Sequence, residues 1–323
     1  ANTEKFFEQM DYLTPELLRI LRPGRVAAIH VKDRVLFGSQ TGTGMPTIEP
    51  FHAMCISHYI KHGFMYFGMI TVITDVVREN NQTYRLGWTE QCKDGTKMGV
   101  GCEEYILLFR KLPTDTSRAY ADEPVVKDKD EYTRGRWQLD AHRFWRSSGD
   151  RLITKDELMK ADTHTLRKLY HKYSSQNVYN YEDHVKLANE LDKDGKLPAT
   201  FMVIDPASWN DKVWDDINRM KTLNSQQARR KQTLHICPLQ IDIVERIIDR
   251  YSKKGDVVFD PFAGLFTVPY IAAKMGRYGI GTELNEESFR DGLGYLKSTD
   301  ENKAQLSLFD LMEAEQALKE AHA

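Results

Sequence analysis

Asp256-Val-Val-Phe-Asp-Pro-Phe-Ala-Gly-Leu-Phe-Thr267, followed by Gly279-Ile-Gly-Thr-Glu283, decides the fold class. Asp256 to Phe259 reads as a short strand buried in a sheet. It delivers Asp260 to its C-terminal edge, where Pro261 ends the ladder and Gly264 lets the backbone approach a ligand with no Cβ in the way. The spacing predicts a helix from near Thr267 through Met275, then a second strand over Tyr278 to Glu283, which lies 23 residues past Asp260. In doubly wound α/β folds, an acid about 20 residues past the first turn hydrogen-bonds a ribose hydroxyl. The same spacing also fits an ordinary strand–turn–helix with surface carboxylates. The G-x-G-x-x-G fingerprint that cradles a pyrophosphate is absent: the turn has one glycine and is bulky at Leu265 and Phe266. That argues against NAD, FAD or a P-loop nucleotide and favours a cofactor without a pyrophosphate, of which S-adenosylmethionine is the common one.

Upstream, Asp242 to Tyr251 has the spacing of an amphipathic helix. At the other end of the chain, Thr3 to Leu21 is apolar at helical intervals, and Pro15 is expected to divide it into two helices. Pro23-Gly24 stops that segment, and Arg25 to Val31 reads as a strand. Phe51 to His62 is expected to be helical, Phe64 to Val77 a strand, and Tyr105 to Phe109 a strand covered on both faces. From Pro113 the composition turns polar and arginine-bearing, so the middle third reads as an insertion or second domain. The boundaries expected are 1–112, 113–234, 235–300 and a tail over 301–323.

The 323 residues carry 45 basic and 47 acidic side chains, so a polyanionic partner must meet a local basic patch. Hydrophobic residues make up 41%, which excludes a disordered or low-complexity chain. Four cysteines without a C-x-x-C pair argue against a disulfide scaffold and a four-thiolate zinc site, and fit a reducing, cytoplasmic compartment better. The most apolar stretch, Gly63 to Thr74, is too short to cross a bilayer. No metal site is expected: the histidines show no ligand spacing with the cysteines, and His30 and His52 read as loop or core residues. Thr41-Gly-Thr-Gly44 lacks the Lys of a phosphate loop, and Asp192-Lys-Asp-Gly195 lacks the closing glutamate of a calcium loop.

Asp260-Pro-Phe-Ala-Gly resembles the D-P-F-x-G-x-G-T motif of DNA methyltransferases that modify adenine N6 or cytosine N4. His235-Ile-Cys-Pro-Leu-Gln240 is similar to the element that precedes that motif in permuted members. Arg22-Pro-Gly-Arg-Val-Ala-Ala-Ile29 and Cys102-Glu-Glu-Tyr-Ile-Leu-Leu-Phe-Arg-Lys111 are similar to two of their strands, in the β-type order. Asn80-Asn-Gln-Thr-Tyr84 and Val213-Trp-Asp-Asp-Ile217 bring phage and prophage enzymes closest. The resemblance implies a Rossmann-like α/β methyltransferase fold with a mixed, mostly parallel sheet and an inserted target-recognition region. It implies S-adenosylmethionine as cofactor, double-stranded DNA as substrate, and the cytoplasm of a bacterial or phage-infected cell. By position, Asp260, Pro261, Phe262 and Gly264 should line the methionine and sulfonium end, and Thr267 should cap the next helix. Glu283, with Asn285 beside it, should take the ribose, and His235, Cys237 and Pro238 should close over the methionine. One departure is Phe266, where the motif has its second glycine. Either the turn takes another path there or another residue fills part of the pocket.

The catalytic [D/N/S]-P-P-[Y/F/W] loop of that family has no counterpart, since no Pro-Pro pair occurs in the chain. Asp205-Pro-Ala-Ser-Trp209 is the nearest imitation and falls in the wrong place for the permuted order. The first residue is Ala1 rather than Met, so the expectation is that the catalytic motif lies upstream or on a companion piece. The competing expectation is an inactive DNA- or cofactor-binding fragment. Tyr132 to Arg151 interleaves five arginines with four aromatics, suited to phosphate contact and base stacking through Arg134, Arg136, Trp137, Arg143, Trp145 and Arg146. Arg229 and Arg230 form a second basic cluster. Gln305-Leu-Ser-Leu-Phe309 resembles the peptide by which bacterial replication proteins bind the sliding clamp, with Gln305 at the rim and Leu306, Leu308 and Phe309 in the groove.

Overall fold

A computed structural model describes residues 2–73, 92–94, 103–141, 181–196, 212–215, 217–219, 221–223 and 239–304. The chain divides into two compact units, Ala1–Ile217 and Asn218–Ala323.

The first unit opens with α1 (Thr3–Ile20), capped by the Asn2 side chain, which accepts from the Glu4 amide at 2.8 Å. Pro15 does not split it: one continuous helix runs through the proline. The amide that proline lacks would have bonded one turn back, and the apolar face of Met10, Leu13, Leu17 and Leu18 holds the helix on the core regardless. Strand β1 (Val26–Lys32) follows, then a small antiparallel ribbon of β2 (Arg34–Leu36) and β3 (Thr47–Glu49), with the short helix α2 (Gly38–Thr41) between them. Helix α3 (Phe51–Lys61) leads into β4 (Met65–Val72), and β5 (Glu104–Arg110) lies between β1 and β4, antiparallel to both. Its Ile106, Leu107, Leu108 and Phe109 are all buried, as expected of a strand covered on both faces. Tyr59 of α3 stacks on Phe109 at 4.8 Å, and Cys55 lies in the same cluster, where burial pushes its thiol up to about 12.

The middle of the chain contributes α4 (Arg134–Ala141) and α5 (Tyr181–Lys193), packed on one another. They approach closely at Gly135, where a Cβ would stand 2.7 Å from the Ala188 Cβ. The short strand β6 (Val213–Trp214) pairs parallel with β4 and completes a mixed sheet of order β1-β5-β4-β6.

Among its described residues, the second unit has three helices and two strands. Helix α6 (Ile241–Tyr251) precedes β7 (Val257–Asp260), α7 (Thr267–Lys274), β8 (Tyr278–Gly281) and α8 (Glu286–Ala304). β7 and β8 run parallel, pairing Val257 with Tyr278 and Asp260 with Gly281, which is the right register for a β-helix-β crossover. Val244 and Ile248 of α6 pack against Ile271 and Ala272 of α7. Gly279 and Gly281 let α7 settle on β8: a Cβ on Gly279 would meet the Pro269 carbonyl oxygen at 2.2 Å. Pro269 sits in the first turn of α7, where a missing amide proton costs no helical bond. Among the described residues, no helix is long and apolar enough to cross a membrane.

Candidate cofactor site

The site is assembled at the C-terminal ends of β7 and β8. Asp260 is the last residue of β7, and its Oδ1 accepts the Phe262 amide at 2.9 Å, closing a tight turn around Pro261. The chain then rises to Gly264, in the left-handed region with φ 53°. From β8, Thr282 donates its backbone amide to the Asp260 carbonyl at 3.0 Å and its hydroxyl to the Pro261 carbonyl at 2.7 Å. These bonds fix the turn to the strand beside it.

Glu283 then reaches across the crevice. Its Oε2 accepts the Gly264 amide at 2.9 Å and its Oε1 the Asn285 amide at 2.7 Å. A carboxylate offers about four lone-pair sites, so each oxygen keeps one for a further donor, such as a vicinal diol. Asn285 serves the next element: its Oδ1 accepts the Ser288 amide at 2.9 Å and caps α8. Asp260 is held above the usual carboxylate range, chiefly by burial and further by the negative Glu283, although the Phe262 amide pulls the other way. Two acids and a glycine turn thus meet at the C-terminal ends of β7 and β8, and two apolar side chains next to them in the chain are exposed. Phe262 is 63% exposed and Leu284 wholly so.

Phe266 resolves the departure from the motif. It keeps the left-handed conformation, φ 62° and ψ 31°, that a glycine adopts without strain. The turn therefore retains a glycine-like path, and the ring leaves the crevice to pack beneath it. Phe266 is 3% exposed, meets Phe289 edge-on at 5.6 Å and lies over Gly292 of α8. A Cβ on Gly292 would stand 2.1 Å from the Phe266 ring, so a glycine in the helix makes the room that the ring takes. Thr267 is not the helix cap: Phe266 occupies the N-cap position without a side-chain bond, and Thr267 is a buried first-turn residue. The structure thus brings Asp260, Pro261, Phe262, Gly264, Glu283 and Asn285 together. His235, Cys237 and Pro238 lie outside the described residues.

On α4, Thr133 caps the helix by accepting the Arg136 amide at 3.2 Å, and Trp137 is 54% exposed. Arg134 is paired with Asp192 of α5 at 3.0 Å, so its guanidinium is engaged within the protein. This segment is helical from Arg134 to Ala141. Arg143, Trp145, Arg146, Arg229, Arg230 and the 305–309 peptide lie outside the described residues.

A glycine turn flanked by strand-tip acids at the C-terminal ends of parallel strands is the plan of a site for a nucleoside-containing cofactor. The chain belongs to the N6_N4_Mtase family of DNA methylases, whose family model matches residues 1–293. Among curated relatives, the DNA adenine methyltransferase YhdJ of Escherichia coli K12 is 47% identical over 51 residues, 16% of this chain and 17% of that enzyme. The type II methyltransferase M.MthZI of Methanothermobacter thermautotrophicus is 34% identical over 84 residues, 26% of this chain and 22% of that enzyme. The matched portions therefore span about a fifth of these relatives. Among solved structures, a DNA modification methylase candidate from Thermus thermophilus, complexed with S-adenosyl-L-methionine, aligns with TM-score 0.52 at 19% identity, covering 92% of this chain and 78% of that one. The cytosine-N4-specific PvuII DNA methyltransferase aligns with TM-score 0.50 at 9% identity, covering 91% and 71%. At these identities the likeness is one of fold: α/β with a mixed sheet.

Proposed function

We propose that the chain binds S-adenosylmethionine in the β7–β8 crevice and serves methyl transfer to an exocyclic amino group in DNA, adenine N6 ahead of cytosine N4. The observation that carries the reading is the Glu283 carboxylate, tied to the Gly264 amide at 2.9 Å with lone pairs left over for ribose hydroxyls. Bound there, the cofactor supplies a methyl group already attached to a good leaving group. The protein's part is to hold and orient. Glu283 takes the diol, and Leu284 offers an apolar surface for the adenine. Asp260, Phe262 and the Gly264 turn line the methionine side, and His235, Cys237 and Pro238 are assigned to close over it. Displacement of this kind needs alignment more than acid–base help. Preference for adenine rests on the E. coli relative named above, an adenine enzyme, while the cytosine-N4 fold relative keeps the second base in play.

DNA is assigned to the region 113–234, with Trp137 and Arg136 on α4 among its described residues. The test is transfer of radiolabelled methyl from S-adenosylmethionine to unmethylated double-stranded DNA, by the chain alone and by the chain extended at its N-terminus, followed by nucleoside analysis. Label in N6-methyladenine is expected. Label in N4-methylcytosine would reverse the choice of base, and label in neither, with cofactor binding intact, would refute transfer by this chain.

A further inference from the structure

In the first unit, α1 and α3 bring together three side chains that the cofactor reading does not use. His58 and His62 stand four residues apart at the end of α3, so their rings share one face of the helix. Asp11 of α1 projects between them. Its Oδ1 lies 2.6 Å from the His62 Nε2 and 3.7 Å from the His58 Nδ1. One donor atom from each of the three residues falls within 4.8 Å of the others. On its far side, the His58 Nε2 is bonded to the Thr14 hydroxyl at 2.8 Å, in the core. That bond fixes the ring and leaves Nδ1 turned to the cluster, the arrangement by which an outer partner orients a metal-bound imidazole.

We propose that Asp11, His58 and His62 form a binding site for a divalent first-row transition ion of the zinc class, which ties α1 to α3. Two imidazoles and one carboxylate make a three-ligand set that leaves a fourth, solvent-facing position for water. The buried His58 and the partly buried His62 form the floor, and the more exposed Asp11 is the side from which an ion enters. Closing the set needs only small side-chain movements, because donor atoms around a tetrahedral ion stand roughly 3.3 Å apart given bond lengths near 2.0 Å. Binding uses the Nε2 lone pair of His62, so the proton that this atom shares with Asp11 passes to solvent or to Nδ1 as the ion enters. Lys61 is the competitor: its ammonium holds the same Asp11 oxygen at 3.1 Å, on a long exposed stem free to swing away.

The competition gives a test that a plain hydrogen-bonded cluster would fail. Cobalt(II) and zinc(II) are titrated into the full chain, with visible absorption for the first and calorimetry and thermal unfolding for both. One equivalent of Co2+ with tetrahedral d–d bands is expected, and saturating Zn2+ should raise the melting temperature by on the order of 5 °C. His62→Gln and Asp11→Asn, at partly exposed positions, should abolish both effects while leaving the circular dichroism of the folded protein unchanged. Lys61→Ala should tighten binding by about 2- to 5-fold, the size of an exposed charge pair. Failure to bind either ion would overturn the proposal. So would bands and stabilisation that persist unchanged in His62→Gln and Asp11→Asn.

Discussion

Replacing Phe266 with glycine restores the residue that the methylase motif carries, yet it should destabilise this protein. Two terms oppose one another. The left-handed conformation of Phe266 costs about 1–2 kcal/mol, which glycine would recover. Against this, the ring is 3% exposed and lies over Gly292, and deleting a buried phenylalanine side chain costs about 3–5 kcal/mol. The net loss is about 1–4 kcal/mol. Gly292→Ala supplies the second half of a cycle. In the wild type its Cβ would stand 2.1 Å from the ring, an overpacking that costs about 1–3 kcal/mol or more. In the Phe266→Gly background that space is free, and alanine should gain close to 1 kcal/mol as the better helix former. Urea unfolding of the four proteins measures the coupling directly. A Phe266→Gly variant as stable as the wild type, or a Gly292→Ala effect equal in both backgrounds, would refute the packing account of the turn.

Asp260→Asn should stabilise the cofactor-free protein at neutral pH while weakening S-adenosylmethionine binding, because it removes a carboxylate that burial and Glu283 hold above its ordinary range. With a raised folded pKa the native state binds more protons than the unfolded one, so the wild type loses stability as pH rises from 3.8 through that folded pKa. The gap between the two proteins in thermal unfolding should widen upward across that window and be smallest below it. Trp137→Ala, at a 54% exposed position, should weaken binding to duplex DNA in a gel-shift titration with a stability change within about 0.5 kcal/mol. A loss of stability without a loss of DNA affinity would return Trp137 to packing. Cys55, buried and pushed up to about 12, should resist iodoacetamide in the folded protein at mildly alkaline pH, whereas the exposed Cys92 should react, as read by mass spectrometry of the alkylated peptides.

The elements that position the candidate cofactor site were legible because each is local. The Asp256–Phe259 run, the proline and glycine of the turn, and the acid after Gly281 announce strand, turn and strand within 28 residues. What stayed hidden depends on partners distant in the chain. The role of Phe266 is set by Gly292, on a different helix, and no local pattern links a large residue in a turn to a small one 26 positions on. Pro15 reads as a breaker in isolation, but tertiary packing of the α1 apolar face overrides it. The spacing of His58 and His62 was visible, yet the carboxylate that makes them a cluster comes from α1, 47 residues before His58. The sheet directions of the first unit were equally out of reach, since nothing in an apolar run such as Tyr105 to Phe109 encodes whether its neighbours run with it or against it.

The crevice itself is best tested by calorimetric titration of the protein with S-adenosylmethionine, repeated on Glu283→Ala and Asp260→Ala. One site per chain is expected in the wild type. Loss of the bonds from Glu283 to the diol and to the Gly264 amide should weaken binding by more than about tenfold, with a smaller but clear loss for Asp260→Ala. Wild-type affinity in both variants, with the fold intact by circular dichroism, would contradict the account.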